Sequence, residues 1–254
     1  PKYMVTVDTT PPKMDYYLVD TLLNSTENDL QVIGEIEDKT SPISHTRYAI
    51  FDDNGTKLIN WTNMPAKDGS YDSKIEQTDY LIDLSSLSDG QYQIRIRGWD
   101  MANNKGYGGN LDFTIDQSAP EIPANNLGFN SHVEDYSQRP VEIDCGGYTN
   151  INQISHHWQQ AQDAVEYQRQ WVYPGNNPEI ESNWHGAENW TTTFTNYRVF
   201  GNGEGIEGQW FVRVRAKDEA GNWSEFSEAC EINLDKTYPS VDITSHEDGD
   251  FIRK

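Results

Sequence analysis

Apolar and polar residues alternate with period two along two stretches of this chain that are near copies of each other. In Gly90 to Asp100, Tyr92, Ile94, Ile96 and Gly98 share one face and Arg95 and Arg97 the other. In Gly208 to Asp218, Trp210, Val212, Val214 and Ala216 share one face and Arg213, Arg215 and Lys217 the other. The pattern predicts two long strands, each with a core face and a water face. Gly, Gln, both Arg, Asp, Ala and the final Asn of Gly90–Asn104 recur in register in Gly208–Asn222, 118 positions later. Each copy ends in residues that tolerate positive φ, so the chain should reverse there. A further alternating strand then follows: Leu111, Phe113 and Ile115 in the first copy, Cys230, Ile232 and Leu234 in the second.

The remaining pattern fills out two sandwiches. Before the first long strand, Met14–Leu18, Leu30–Ile36, Thr46–Phe51, Leu58–Trp61 and Tyr80–Leu84 read as strands, and Asp53-Asn54-Gly55-Thr56 as a hairpin with a type I′ turn. Tyr92 stands where its hydroxyl can reach back to the corner at Leu84–Asp89. Before the second long strand, Val141–Cys145 reads as the first strand of its unit. Residues 151–173 carry both a helical and an alternating pattern, and two strands with a turn at Asp163-Ala164 fit the repeat better. Pro174–Ala187 reads as a long loop, Trp190–Thr195 as an edge strand and Asn202–Gly208 as a turn. The junctions Asp8-Thr9-Thr10-Pro11, Asp116-Gln117-Ser118-Ala119-Pro120 and Asp235-Lys236-Thr237-Tyr238-Pro239 divide the chain. Residues 1–8 are expected to be the final strand of a preceding repeat, 9–117 and 118–236 two domains, and 237–254 the start of another repeat. The fold class expected is all-β, with tandem immunoglobulin-like Greek-key sandwiches.

Charge narrows the partners. Among 254 residues, 41 are acidic and 19 basic, a formal net charge of −22. Such an excess repels nucleic acid and anionic membranes, and it attracts divalent cations. No apolar run approaches the roughly 20 residues of a membrane helix.

The corner Leu87-Ser88-Asp89-Gly90-Gln91-Tyr92, the endings Asp218–Asn222 and Asp100–Asn104, and the Asp-x-Thr-x-Pro junctions resemble bacterial immunoglobulin-like repeats. The second unit, with Trp158, Tyr167 and Phe211–Ala216, is also similar to fibronectin type III modules. The Gly98-Trp99 and Asn103-Asn104 departures suggest that the turn of the repeat is not kept faithfully in the first unit. The resemblance implies a stalk, spacer or binding module of a large surface or secreted protein. In such a sandwich the domain start and two loops meet at one pole. Asp8, Asp38 and Asp100 should then converge in the first unit, and Asp116 and Asp218, with Asp163, in the second, as oxygen ligands for Ca²⁺. The plainer reading is that these residues cap turns. The two cysteines, Cys145 and Cys230, fall near the first and last strands of the second unit. A disulfide is expected of them, with buried thiols as the alternative.

Catalytic signatures are missing: no nucleophile elbow, zinc-binding HExxH, phosphate loop or dinucleotide fingerprint occurs. His156-His157 are adjacent, would face opposite sides of a strand and read as ordinary surface or edge histidines, and the five Asn-x-Ser/Thr sequons carry little weight. The reading is therefore a non-enzymatic spacer of an extracellular, adhesin- or stalk-like surface protein. It has no cofactor apart from Ca²⁺ at the domain junctions, and its partners are neighbouring repeats of the same polypeptide. The rival is a carbohydrate- or protein-binding module that uses Trp171, Trp184 and Trp190 around the long loop, facing a cell-surface glycan or protein.

Overall fold

The computed structural model describes residues 6–123, 127–131, 141–151, 153–191, 198–199 and 206–241. It is all-β, and no described helix is long and apolar enough to cross a membrane. The chain forms two compact units, residues 1–119 and 120–254, with the turn Asp218–Asn222 counted with the first.

In the first unit, β1 (Lys13–Leu18), β3 (Asp29–Glu37) and β6 (Ile75–Asp83) make one antiparallel sheet in the order β1-β3-β6. The other sheet runs β2-β8-β7-β4-β5, from β2 (Leu22–Leu23), β8 (Lys105–Ile115), β7 (Gly90–Asp100), β4 (Ile43–Asp52) and β5 (Lys57–Met64). Between β1 and β2 the chain changes sheet, and β2 pairs with β8 in parallel. The apolar faces meet in a core that includes Leu30, Val32, Ile50, Ile82, Ile94, Ile96 and Phe113. The strict alternation of β7 places its odd-numbered Arg residues outside and its even-numbered apolar residues in this core. Gly98 is needed because a Cβ there would come within 2.2 Å of Ile36.

In the second unit the order is β10-β9-β12-β15 against β11-β17-β16-β13-β14. The first sheet uses β9 (Gly128–Ser131), β10 (Val141–Asp144), β12 (Gln153–His157) and β15 (Arg198–Val199). The second uses β11 (Gly147–Thr149), β13 (Glu166–Val172), β14 (His185–Trp190), β16 (Gly208–Lys217) and β17 (Cys230–Leu234). Residues 151–173 thus form two strands, with Asp163 at φ 62° between them.

Several expectations need correction. Val141–Asp144 is not the first strand of its unit; β9 precedes it and pairs with it, and β9 has only one buried apolar side chain among those described, Phe129, and so shows no period. The edge strand is His185–Trp190, because its partner β13 spends a bulge between Arg169 and Trp171 to bring His185 into register. The Asn54-Gly55 hairpin is not type I′. Only Gly55 has positive φ, 79°, and Gly55 N–H donates to Asp52 O while Asp52 N–H donates to Thr56 O, giving a three-residue loop. The turn after each long strand, by contrast, is the same in both units. Asn103 N–H donates to Asp100 O and Gly221 N–H to Asp218 O, with Asn103 at φ 66° where the second copy has Gly221 at 100°. Asn tolerates the left-handed region, so the departure in sequence costs the turn little. Residues 6–12 form no strand and Val7 is exposed. Residues 1–5, 192–195, 202–205 and 242–254, on which other expectations fall, lie outside the described residues.

Candidate functional site: a carboxylate pole and two outer sheet faces

At one pole of the first unit, three carboxylates come together from three segments. Asp8 lies in the entry segment, Asp38 directly follows β3, and Asp100 ends β7; one oxygen of each lies within 4.8 Å of the others. Asp38 and Asp100 are buried and Asp8 is partly exposed. Each is held by nearby donors. Asp38 Oδ1 accepts from Thr40 N–H at 2.7 Å and Ser41 N–H at 2.9 Å. Asp100 accepts from Asn104 N–H at 2.8 Å and Asn104 Nδ2 at 2.9 Å. Asp8 accepts from Thr10 N–H at 3.0 Å and from the Ser41 hydroxyl at 2.5 Å. The Ser41 hydroxyl first, then Thr10 N–H, holds the Asp8 carboxyl below its usual pKa. None of the three has a Lys or Arg ion-pair partner among the described residues. The result is a compact set of oxygen donors of the hard type that suits Ca²⁺, reached from the exposed side of Asp8.

The second unit does not repeat this group. Asp218 accepts from Asn222 N–H at 2.8 Å and Asn222 Nδ2 at 3.0 Å, as Asp100 does from Asn104. Asn222 Nδ2 also donates to Asp116 O at 2.7 Å, as Asn104 Nδ2 donates to Asp8 O at 3.2 Å. Yet among the described residues Asp116, Asp163 and Asp218 form no three-carboxylate cluster. Asp163 is exposed in its turn, and the residue directly after β12, where the first unit has Asp38 after β3, is the buried Trp158. An indole fills the place of a carboxylate.

The outer faces of the long strands are not simply wet. On β16, Arg213 donates twice to Gln170 Oε1, Arg215 twice to Gln168 Oε1, and Lys217 pairs with Glu166 at 3.4 Å. Arg213 also pairs with Glu181. Aromatic rings cover these cations: Trp184 and Phe226 lie 4.2 and 4.1 Å from the Arg213 guanidinium, and Trp223 lies 4.5 Å from that of Arg215. The cover is the segment after the turn. Ser224 N–H donates to Ala216 O and the Ser224 hydroxyl accepts from Ala216 N–H; Ser227 does the same with Val214. Two serines thus continue the ladder beside β16 and lay Trp223 and Phe226 over its Arg side chains. Sequence reasoning passed over this segment; its signal is the repeated aromatic-Ser pair in Trp223-Ser224-Glu225-Phe226-Ser227.

The first unit also has a cation–aromatic face, built differently. Arg97 lies 3.9 Å from the Trp61 ring and 5.7 Å from Tyr107, Arg95 lies 4.0 Å from Phe51, and His45 stacks on Trp99 at 4.6 Å.

The three tryptophans singled out in the sequence do not gather into one exposed patch. Trp171 packs against one core cluster of the second unit and Trp190 against another, while Trp184 donates to Pro178 O and lies against Arg213. Cys145 and Cys230 form a disulfide, with Cα atoms 5.1 Å apart. Cys145 sits where the chain changes sheets between β10 and β11, so the bond ties that crossing to β17. His156 is not the surface or edge histidine expected from the sequence but a core residue, because β12 turns it inward between Phe129 and Trp158, while His157 is half-buried beside Asn130.

No protein-family model matches the chain. No curated protein matches it either. Among solved structures it is similar to the FN1–FN3 domains of chicken CNTN1 at 13% identity and TM-score 0.48, covering 84% of this chain and 62% of that one. It is similar to the fibronectin(III)-like modules of Clostridium thermocellum CbhA at 10% identity and TM-score 0.35, covering 88% and 93%. A DUF4466 family protein from Parabacteroides merdae is similar at 8% identity and TM-score 0.34, covering 89% and 100%. The fold stands on the sheet order of the chain itself: all-β, immunoglobulin-like sandwich units.

Proposed function

We propose that this chain is a non-enzymatic structural spacer of an extracellular bacterial surface protein, with Ca²⁺ reinforcing the entry to its first unit. The observation that carries the reading is how the polar groups are spent. Asn104 and Asn222 grip the backbone of Asp8 and Asp116. Asp89 accepts from Gln117 N–H and the Ser118 hydroxyl, and Glu207 accepts from Lys236 N–H and the Thr237 hydroxyl. The same positions in the two copies therefore fasten the segments that enter and leave a unit, which is what a spacer needs. Ca²⁺ at Asp8, Asp38 and Asp100 would add a charge-neutralising link between the entry segment and the body of the first unit. The disulfide agrees with an oxidising, extracellular setting.

Calorimetric titration with Ca²⁺ tests the metal part: wild type binds, and Asp38→Asn and Asp100→Asn lose binding. Retained binding in both variants would place the ion elsewhere. The spacer part is tested by pulling the chain at its ends: each unit should unfold as a separate event, and a single gradual extension at low force would sink it.

A further inference from the structure

We infer that the outer face of the β2-β8-β7-β4-β5 sheet in the first unit is a docking surface for an acidic polysaccharide, a sugar chain bearing carboxylates. The two copies of the long strand make the case. On β16 each cation stands opposite an acceptor: the register sets Arg213 against Gln170, Arg215 against Gln168 and Lys217 against Glu166. On β7 the register sets Arg97 directly against Arg47 of β4, and on its other side against Tyr107 of β8. Like charges facing each other across a strand pair are unfavourable, and a bound anion between them removes that cost.

The neighbouring row extends the surface. His45, Trp99 and Lys105 face one another across the same three strands. Arg47 donates only to the neutral Asn63 Oδ1 at 3.0 Å, and Arg95 to the neutral Gln93 Oε1 at 2.8 Å. Among the described residues, Arg47, Arg95, Arg97 and Lys105 carry no carboxylate partner. That is unusual in a chain with 41 acidic residues against 19 basic ones. Nor does any described segment cover this face as Trp223–Ser227 covers the other, and Tyr107 is 63% exposed.

Charge complementarity and ring geometry choose the partner. Guanidinium groups take carboxylates in paired hydrogen bonds. The exposed ring of Tyr107, set among the cations, gives a sugar ring an apolar surface to lie on while its polar tip stays wet, and Trp99, stacked on His45, borders it. A nucleic acid, with its dense phosphate charge, meets the repulsion of a net charge of −22 more severely than a sparsely charged sugar chain does.

The test is isothermal titration of the whole chain with oligogalacturonate, neutral maltodextrin, polyglutamate and single-stranded oligonucleotide in turn. Oligogalacturonate should bind, more weakly as salt rises, and Arg97→Gln should lower affinity about tenfold, the loss of one charged hydrogen-bonded contact. Tyr107→Ser, on an exposed ring, should weaken binding several-fold with an unchanged melting temperature. The assignment fails if oligogalacturonate does not bind, if maltodextrin binds as well, or if polyglutamate or oligonucleotide binds more tightly. It also fails if both variants, folded, bind like wild type.

Discussion

The two long strands begin from nearly the same residues, and what surrounds them has diverged. Around β16 the cations stand opposite acceptors and lie under a following segment; around β7 Arg97, half-buried against Trp61, stands opposite the exposed Arg47. At the pole the first unit collects three carboxylates, while the second puts Trp158 after the corresponding strand. The corner is kept by different chemistry: Tyr92 hydroxyl donates to Ser88 O at 2.6 Å, and Trp210 Nε1 donates to Ile206 O at 2.9 Å, each reaching back four residues. A sandwich framework therefore fixes where a reinforcement must act and leaves open which side chain supplies it. The second unit relies on a disulfide and an aromatic cover. The first has neither, and its cations and carboxylates carry the two proposals made for it.

The sharpest way to break this comparison is to remove the reinforcement that only the second unit has. Cys145→Ser with Cys230→Ser opens a loop of sequence separation 85, and the chain-entropy argument assigns such closure about 4.6 kcal/mol. Denaturant unfolding should show the second unit destabilised by that order, with the first unit unmoved. Next, Trp223→Ala should cost the second unit about 2 kcal/mol, since it strips the ring from both Arg215 and Lys217. Trp61→Ala, which takes a ring from one cation, Arg97, and from the edge of Phe51, should cost the first unit about half of that in the same assay.

Acid should also separate the units. Burial first, then the charges of Arg169 and His157, push the His156 pKa well below its usual value. A histidine kept neutral when folded contributes stability above its unfolded pKa of about 6.5, and that stability is lost as pH falls below it, by about 1.4 kcal/mol per unit until the folded group itself titrates. The melting temperature of the second unit should drop from pH 7 to pH 5, and His156→Gln should flatten the slope. An unchanged slope in that variant would remove His156 from the explanation. The turns give the last contrast: Gly221→Ala should cost about 1–2 kcal/mol at its positive φ, whereas Asn103→Gly, the smallest effect of all, should cost almost nothing. Equal losses at both positions would mean that the two turns are not equivalent after all.

Much of this was readable in the chain. The long strands, the Tyr92 corner and the convergence of Asp8, Asp38 and Asp100 follow from strict alternation and from the pole that a Greek-key sandwich creates. What escaped was set by contacts without a local period. β9 has only Phe129 to announce it. The Trp223–Ser227 segment pairs through serine hydroxyls rather than through alternation. The outer faces read as solvent because Arg and aromatic residues come from different strands, and their meeting depends on register. Trp171 and Trp190, conspicuous beside a long loop, lie in β13 and β14 and pack, half-buried, against two core clusters, a placement set by strand pairing across the loop.

The central claim is that, among the described residues, the shared framework gathers a three-carboxylate pole in the first unit alone, and that this pole takes Ca²⁺. Differential scanning calorimetry with and without Ca²⁺ tests it, using added reductant to identify the transition of the second, disulfide-bonded unit. At Ca²⁺ about a hundredfold above its Kd, the reductant-insensitive transition should rise by the equivalent of about 2.7 kcal/mol, and Asp38→Asn should abolish the rise. A rise in the reductant-sensitive transition instead, or no rise in either, would contradict the account.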